Sequence, residues 1–220
     1  MKRTLVVAIA LLSVVYAQKP RFVERENAIA VVAGMGVNLV NTPEVVEYIN
    51  ATAAYGQTID DFATAVDFFG GVEFPVGEEW GIKLEHSYLF KSYNFIATTG
   101  ATHDFFYSVQ APSVLVQKVI AGEGYFVKMG AGGGYHFGMA TETISTFGIT
   151  NEYSASGIGL KTEIVGQTAF DESFYGYIGG QLGWEWLGKF SGTEATISTV
   201  KTKQLRYFFA GLRFGVTYYL

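Results

Sequence analysis

The sequence predicts an all-β fold, an eight-stranded antiparallel up-and-down transmembrane β-barrel with a short helix in its first external loop. Three observations lead there. Apolar and polar residues alternate with period two through eight separate segments of the chain. The links between those segments alternate between short and long. The composition is 49% hydrophobic and 16% aromatic but only 16% charged, against roughly 25% charged residues in ordinary soluble domains.

Successive side chains of a strand face opposite sides, so each segment sorts into two faces. The first, about 28–40, groups Ile29, Val31, Met35, Val37 and Leu39. In 62–76, Phe62, Val66, Phe68, Val72 and Phe74 oppose Asp67, Gly71 and Glu73. In 80–91, Trp80, Ile82, Leu84, His86, Tyr88 and Phe90 oppose Gly81, Lys83, Glu85, Ser87 and Lys91. Segment 104–118 mixes its parities around Pro112. Proline removes a ladder donor, so a bulge or bend is expected there. Segments 125–139, 157–170 and 174–190 set Lys128, Lys161, Glu163 and Glu185 opposite runs such as Leu160, Ile164, Leu182, Trp184 and Trp186. In the last segment Phe208 to Leu220 forms the apolar parity, and Arg213 and Thr217 lie on the other. Short links fall near 77–79, 119–124 and 171–173, and long ones near 41–61, 92–103, 140–156 and 188–203. Short turns on one side and long external loops on the other are the pattern of a membrane barrel.

A soluble eight-stranded barrel would alternate too, with its apolar face inward. The opposite sense is expected here because charges share their face with many glycines, as between Gly130 and Gly183. Small residues relieve crowding in a narrow lumen. Aromatics also gather near strand ends, at Phe74, Trp80, Tyr125, Trp184, Trp186, Tyr218 and Tyr219, where membrane barrels carry interfacial girdles. No polar tail follows Leu220.

Two further segments stand outside the alternation. Lys2 and Arg3 precede an apolar run from Leu5 to Val15 and the sequence Val15-Tyr16-Ala17. This is the layout of a secretory signal peptide over 1–17, leaving 18–220 as the barrel domain. A run of that length is too short to span a bilayer as a helix, which takes about twenty residues. In the first long link, Thr42 can cap, Pro43 suits the first helical position and Glu44 complements the helix dipole. Val45, Ile49 and Ala53 then share one side, which predicts a short helix covering the barrel mouth.

The C-terminal run Phe208-Phe209-Ala210-Gly211-Leu212-Arg213-Phe214-Gly215-Val216-Thr217-Tyr218-Tyr219-Leu220 resembles the strand signal read by the outer-membrane assembly machinery. Trp80-Gly81-Ile82-Lys83-Leu84-Glu85, followed by Tyr88-Leu89-Phe90, is likewise similar to small bacterial outer-membrane β-barrels of the OmpA-membrane-domain, OmpX and OmpW type. The family usually ends on Phe, and Leu220 stands there instead. The resemblance implies a bacterial outer-membrane location. Its implied partners are outer-membrane lipid, lipopolysaccharide and the barrel assembly machinery, with a small hydrophobic ligand allowed by the OmpW-like members. The assembly strand would present Leu212, Phe214, Val216, Tyr218 and Leu220.

The candidate site is a lumen charge network of Asp67, Glu73, Lys83, Glu85, Lys128, Lys161, Glu163, Glu185 and Arg213, with Glu85 or Glu163 as partners for Arg213. Eight strands leave little space inside, and a charge buried there without a partner is expensive. No cofactor or metal is expected. The three histidines, His86, His103 and His136, are scattered, and there is no cysteine, which excludes disulfides and thiol chemistry. The net charge is −5 without a basic run, so no nucleic-acid partner is expected. His86 and Ser87 point to opposite faces. His103-Asp104 could form a base–orienter pair, and no nearby serine completes it. Gly130 to Gly134 continues into an alternating strand rather than a phosphate-cradling loop. The expected function is therefore non-enzymatic, structural or surface-interacting. The alternatives are transport of a small hydrophobic solute from the mouth sideways into the membrane, and modification of lipids as an outer-membrane enzyme.

Overall fold

The computed structural model describes residues 28–193, 200 and 203–220. The expected signal segment 1–17 and the first residues of the barrel domain lie outside the described residues. In chain order the elements are β1 (Ala30–Asn41), α1 (Pro43–Thr52), β2 (Phe62–Pro75), β3 (Trp80–Ile96), β4 (Thr102–Gly122), β5 (Tyr125–Ile144), β6 (Ile149–Ala169), β7 (Phe174–Lys189), β8 (Ser191–Thr193) and β9 (Gln204–Tyr219). Consecutive long strands pair antiparallel, β9 follows β7, and β9 returns to β1. The eight long strands thus close into a barrel with no free edge, while β8 is a short addition against β6.

The pairing sets the geometry of the cylinder. From Phe90, the paired positions run through Val66, Val37, Leu212, Gly180, Ile164, Met129 and Lys118, and return to β3 at Trp80. One circuit is therefore displaced by ten residues along β3. With a rise of roughly 3.3 Å per residue and a strand spacing of roughly 4.7 Å, the strands tilt by about 40° and the backbone radius is about 8 Å. Such a bore is filled by the side chains that point into it.

The outward face is apolar. Met35, Val37, Leu84, Val114, Ile164, Ile178, Leu212 and Phe214 are all exposed on the wall. Inward positions of the same strands carry Lys83, Glu85, Glu163 and Arg213, all buried. The assembly-strand set Leu212, Phe214, Val216, Tyr218 and Leu220 is exposed throughout. Tyr219, grouped with the girdle aromatics by position, instead faces inward and is buried, because it falls on the polar parity of β9.

Two expected long links prove to be strand. The connection near 92–103 shrinks to 97–101, and that near 140–156 shrinks to 145–148. The physical reason is an inversion of the alternation. Toward this end of the barrel Ser92, Asn94, Glu152 and Ser154 face outward, while Tyr93, Phe95 and Tyr153 are buried inside. The ladder continues past the apolar outer band, with polar side chains outside and an apolar filling inside. The expected link at 119–124 is likewise reduced to 123–124, with Gly124 at φ +86°, a left-handed conformation that glycine adopts without strain.

Pro112 does not produce a bulge. Gln110 pairs with Phe137 and Val114 with Gly133, so the register is kept across β4 and β5, but the three positions between are unpaired on that side. The opposite edge of Pro112 pairs in sequence with His86. The observed register irregularity lies elsewhere, between Trp186 and Lys189 of β7.

Candidate functional site: the filled barrel interior

α1 closes the end of the barrel opposite the short turns. It starts at Pro43 with Glu44 in the first turn, and buries Val45, Val46, Tyr48 and Ile49, with Ala53 beyond its end. Val45, Tyr48, Ile49 and Ala53 join Phe105, Tyr107, Leu187, Leu205 and Tyr207 in one apolar cluster. Polar contacts tie the helix to the wall. Glu44 accepts a hydrogen bond from the Gln204 backbone N–H (2.6 Å), and Glu47 pairs with Lys203 at 2.7 Å. Tyr48 donates to Glu142, which also receives Asn151 Nδ2 at 3.3 Å and lies 3.1 Å from His103 Nδ1. His103 therefore does not work with Asp104. Neighbours in a strand face opposite ways, and Asp104 points outward to Asn94 (2.5 Å) and Ser145 (2.8 Å).

The nine predicted lumen residues are all buried, and the structure divides them into three groups. In mid-barrel, Arg213 binds Asp67 at 2.6 Å and Glu85 at 2.7 Å. Glu85 also meets Lys83 at 2.7 Å and pairs with Lys161, while Glu163 receives Lys83 at 3.0 Å. Three cations face three carboxylates, which is the balance that burial in a low dielectric demands. Nearer the short turns, Lys128 pairs with Glu73 and donates to the Tyr219 hydroxyl at 3.1 Å. Glu185 joins neither group; it binds His136 Nδ1 at 2.7 Å.

Neutral side chains complete the filling. Asn38 donates to Asp67 at 2.6 Å and accepts from Gln181 at 2.8 Å. Gln117 donates to Glu163 at 2.9 Å, and Gln167 accepts from Tyr219 at 2.7 Å. Arg213 also lies over the Phe69 ring, 4.4 Å from its centroid. Charge counting in the sequence passed over Asn38, Gln117, Gln167 and Gln181, although each occupies the inward parity of its strand. The interior is thus apolar beneath α1, ionic in the middle and mixed near the short turns. It resembles a packed core more than a channel.

No family model matches the chain, and no curated protein matches it. Solved structures are similar in fold. Neisserial surface protein A aligns with a TM-score of 0.51 at 10% identity, over 87% of this chain and 97% of that one. Ail, the attachment invasion locus protein of Yersinia pestis, solved with the heparin analogue sucrose octasulfate, gives 0.45 at 16% identity, over 89% and 99%. The outer membrane protein OprG of Pseudomonas aeruginosa gives 0.47 at 10%, over 88% and 96%. At these identities the likeness is one of architecture.

Proposed function

From the fold of a small bacterial outer-membrane β-barrel, we propose that this chain is an integral outer-membrane protein with a structural or surface-interaction role, acting through the end closed by α1. The observation that carries this reading is the filled interior. Ion pairs occupy mid-barrel and an apolar cluster seals the mouth beneath α1. The recognition surface then consists of segment 53–61 and the hairpin ends at 97–101 and 145–148. Of these, Tyr55 and Phe147 are exposed aromatics, available to lipopolysaccharide or to another surface. The strand Leu212 to Leu220 would present its apolar parity to the assembly machinery and then to lipid.

Two measurements test the reading together. Purified barrel in planar bilayers is expected to give no stepwise conductance. Protease added to intact cells is expected to cut within 53–61 and to leave the strands protected. Open-channel conductance would overturn the filled interior, and cleavage only in spheroplasts would overturn the outward placement of α1. A transport reading draws on one observation, the unpaired stretch of β4 at Pro112. It requires solute uptake by cells carrying the barrel and loss of that uptake when Pro112 is replaced.

A further inference from the structure

Ser113 of β4, His136 of β5 and Glu185 of β7 come together inside the wall, a set that no charge or motif count assembles. His136 lies between the other two. Its Nε2 is 3.1 Å from Ser113 Oγ, and its Nδ1 is 2.7 Å from Glu185 Oε2. This is the connectivity of a nucleophile, a general base and an orienting carboxylate, which is recognised by geometry and not by sequence order. The wall is shaped for it. Gly159 of β6 lies between His136 and Glu185, and a Cβ at that position would collide with both side chains.

The ladder of the wall is interrupted next to this set, at a seam between β4 and β5. Ala111, Pro112 and Ser113 are the positions unpaired with β5, and proline has no N–H to donate. Outside the seam lies a groove of about 710 Å³ facing the lipid side. Ser113, Gly133 and Gly134 line it at the seam, and Leu84 and Val114 line its apolar part. His86, paired in register with Pro112, adds an exposed polar side chain to this otherwise apolar wall. The apolar part offers a surface to an acyl chain, and His86 places a polar group beside it.

We infer that Ser113, His136 and Glu185 form a hydrolytic triad for acyl esters of membrane lipids, reached from the bilayer through the Pro112 seam. This goes beyond the structural role proposed above. All three side chains are buried in the closed barrel, so reaction waits on the parting of β4 and β5 where their ladder is already interrupted. Ser113 Oγ attacks the ester carbonyl carbon while its proton passes to His136 Nε2. The tetrahedral adduct collapses, the bond to the alcohol oxygen breaks, and that oxygen takes the proton from His136. Water then attacks the acyl-serine and gives a proton to His136. The Ser113 oxygen leaves with that proton, and a fatty acid is released. The sum is ester plus water to acid plus alcohol, with no oxidant or reductant. Glu185 is a positioning residue: it accepts from His136 Nδ1–H and offsets the charge of the imidazolium.

The test uses the full chain, folded in detergent micelles and in dipalmitoylphosphatidylcholine vesicles. A fluorophosphonate probe should label Ser113, located by mass spectrometry, and the vesicles should release palmitate. Ser113→Ala should abolish both signals while the barrel keeps its folded, heat-modifiable gel mobility. His136→Ala should slow labelling by roughly 100-fold or more. Glu185→Gln should slow it by at least about tenfold, and Glu185→Asp should restore part of the rate, which a carboxylate that only fills space would not do. Pro112→Val, which returns an N–H to the ladder, should slow labelling without altering the triad. A folded wild type with no label at Ser113 and no palmitate release overturns the inference and leaves the structural reading intact. Labelling that survives Ser113→Ala also overturns it. A Pro112→Val variant labelled at the wild-type rate refutes the seam as the way in.

Discussion

Glu85 holds the centre of the ionic filling, and its replacement by alanine is the sharpest test of what that filling contributes. Its carboxylate meets Lys83 and Arg213 at 2.7 Å each and also pairs with Lys161. In Glu85→Ala the central group keeps three cations against Asp67 and Glu163, so one buried positive charge loses its counter-charge. Breaking a buried ionic set in this way costs about 3–5 kcal/mol. At a guanidinium dependence of roughly 3 kcal/mol per molar, the unfolding midpoint should fall by about 1–1.7 M. The assay is equilibrium unfolding in micelles, followed by tryptophan emission and by gel mobility. The variant Glu85→Ala/Lys161→Met restores the balance of charge and should recover at least half of the loss, because contacting residues are not additive. A Glu85→Ala midpoint within about 0.3 M of the wild type would refute the reasoning, since the charges would then be compensated by something other than one another.

Two other substitutions probe the two ends of the same argument. Ile49 is fully buried under α1, so Ile49→Ala should cost about 2–4 kcal/mol by the same unfolding assay; an unchanged midpoint would mean that the helix merely rests on the rim. Phe214 faces outward in register with Met35 and Ile178, and Phe214→Arg should lose about 2–4 kcal/mol in a bilayer if that face meets the hydrocarbon midplane. Equal stability of that variant and the wild type would place this wall in water.

The interior was partly legible because a buried polar parity is written every second residue. Lys83, Glu85, Lys161, Glu163 and Arg213 could be assigned inward from their own strands alone. Of their partners, the sequence offers Arg213 only the choice of Glu85 or Glu163; Glu85 is the one it meets, and Asp67 is not anticipated. Arg213 meets Asp67 of β2 and Glu85 of β3 across the bore, and that juxtaposition depends on every register around the barrel. The loops were misjudged for a different reason. Period-two patterning marks a strand only while one of its faces is apolar in a constant sense. At Tyr93, Phe95 and Tyr153 the apolar parity turns inward, so a search for an outward apolar stripe reads these strand ends as loop. The helix could be anticipated from Pro43 and Glu44, whose signals are local, although Thr42 makes no side-chain capping bond to it; its attachment through Tyr48 to Glu142 could not.

By itself, the sequence determined the number of strands, the sense of each face and the presence of a helix in the first long loop. All of these follow from short-range periodicity and from Pro43 and Glu44 at the start of the helix. Only the tertiary structure decided the ten-residue offset of the closed barrel, and with it which inward residues face each other. Ser113, His136 and Glu185 show the difference. Each lies on the inward parity of its own strand, yet 23 residues separate the first two and 49 the second two. Hydrogen-bonded registers across four strands bring them within 3.1 Å and 2.7 Å, and no local pattern encodes a sum of registers.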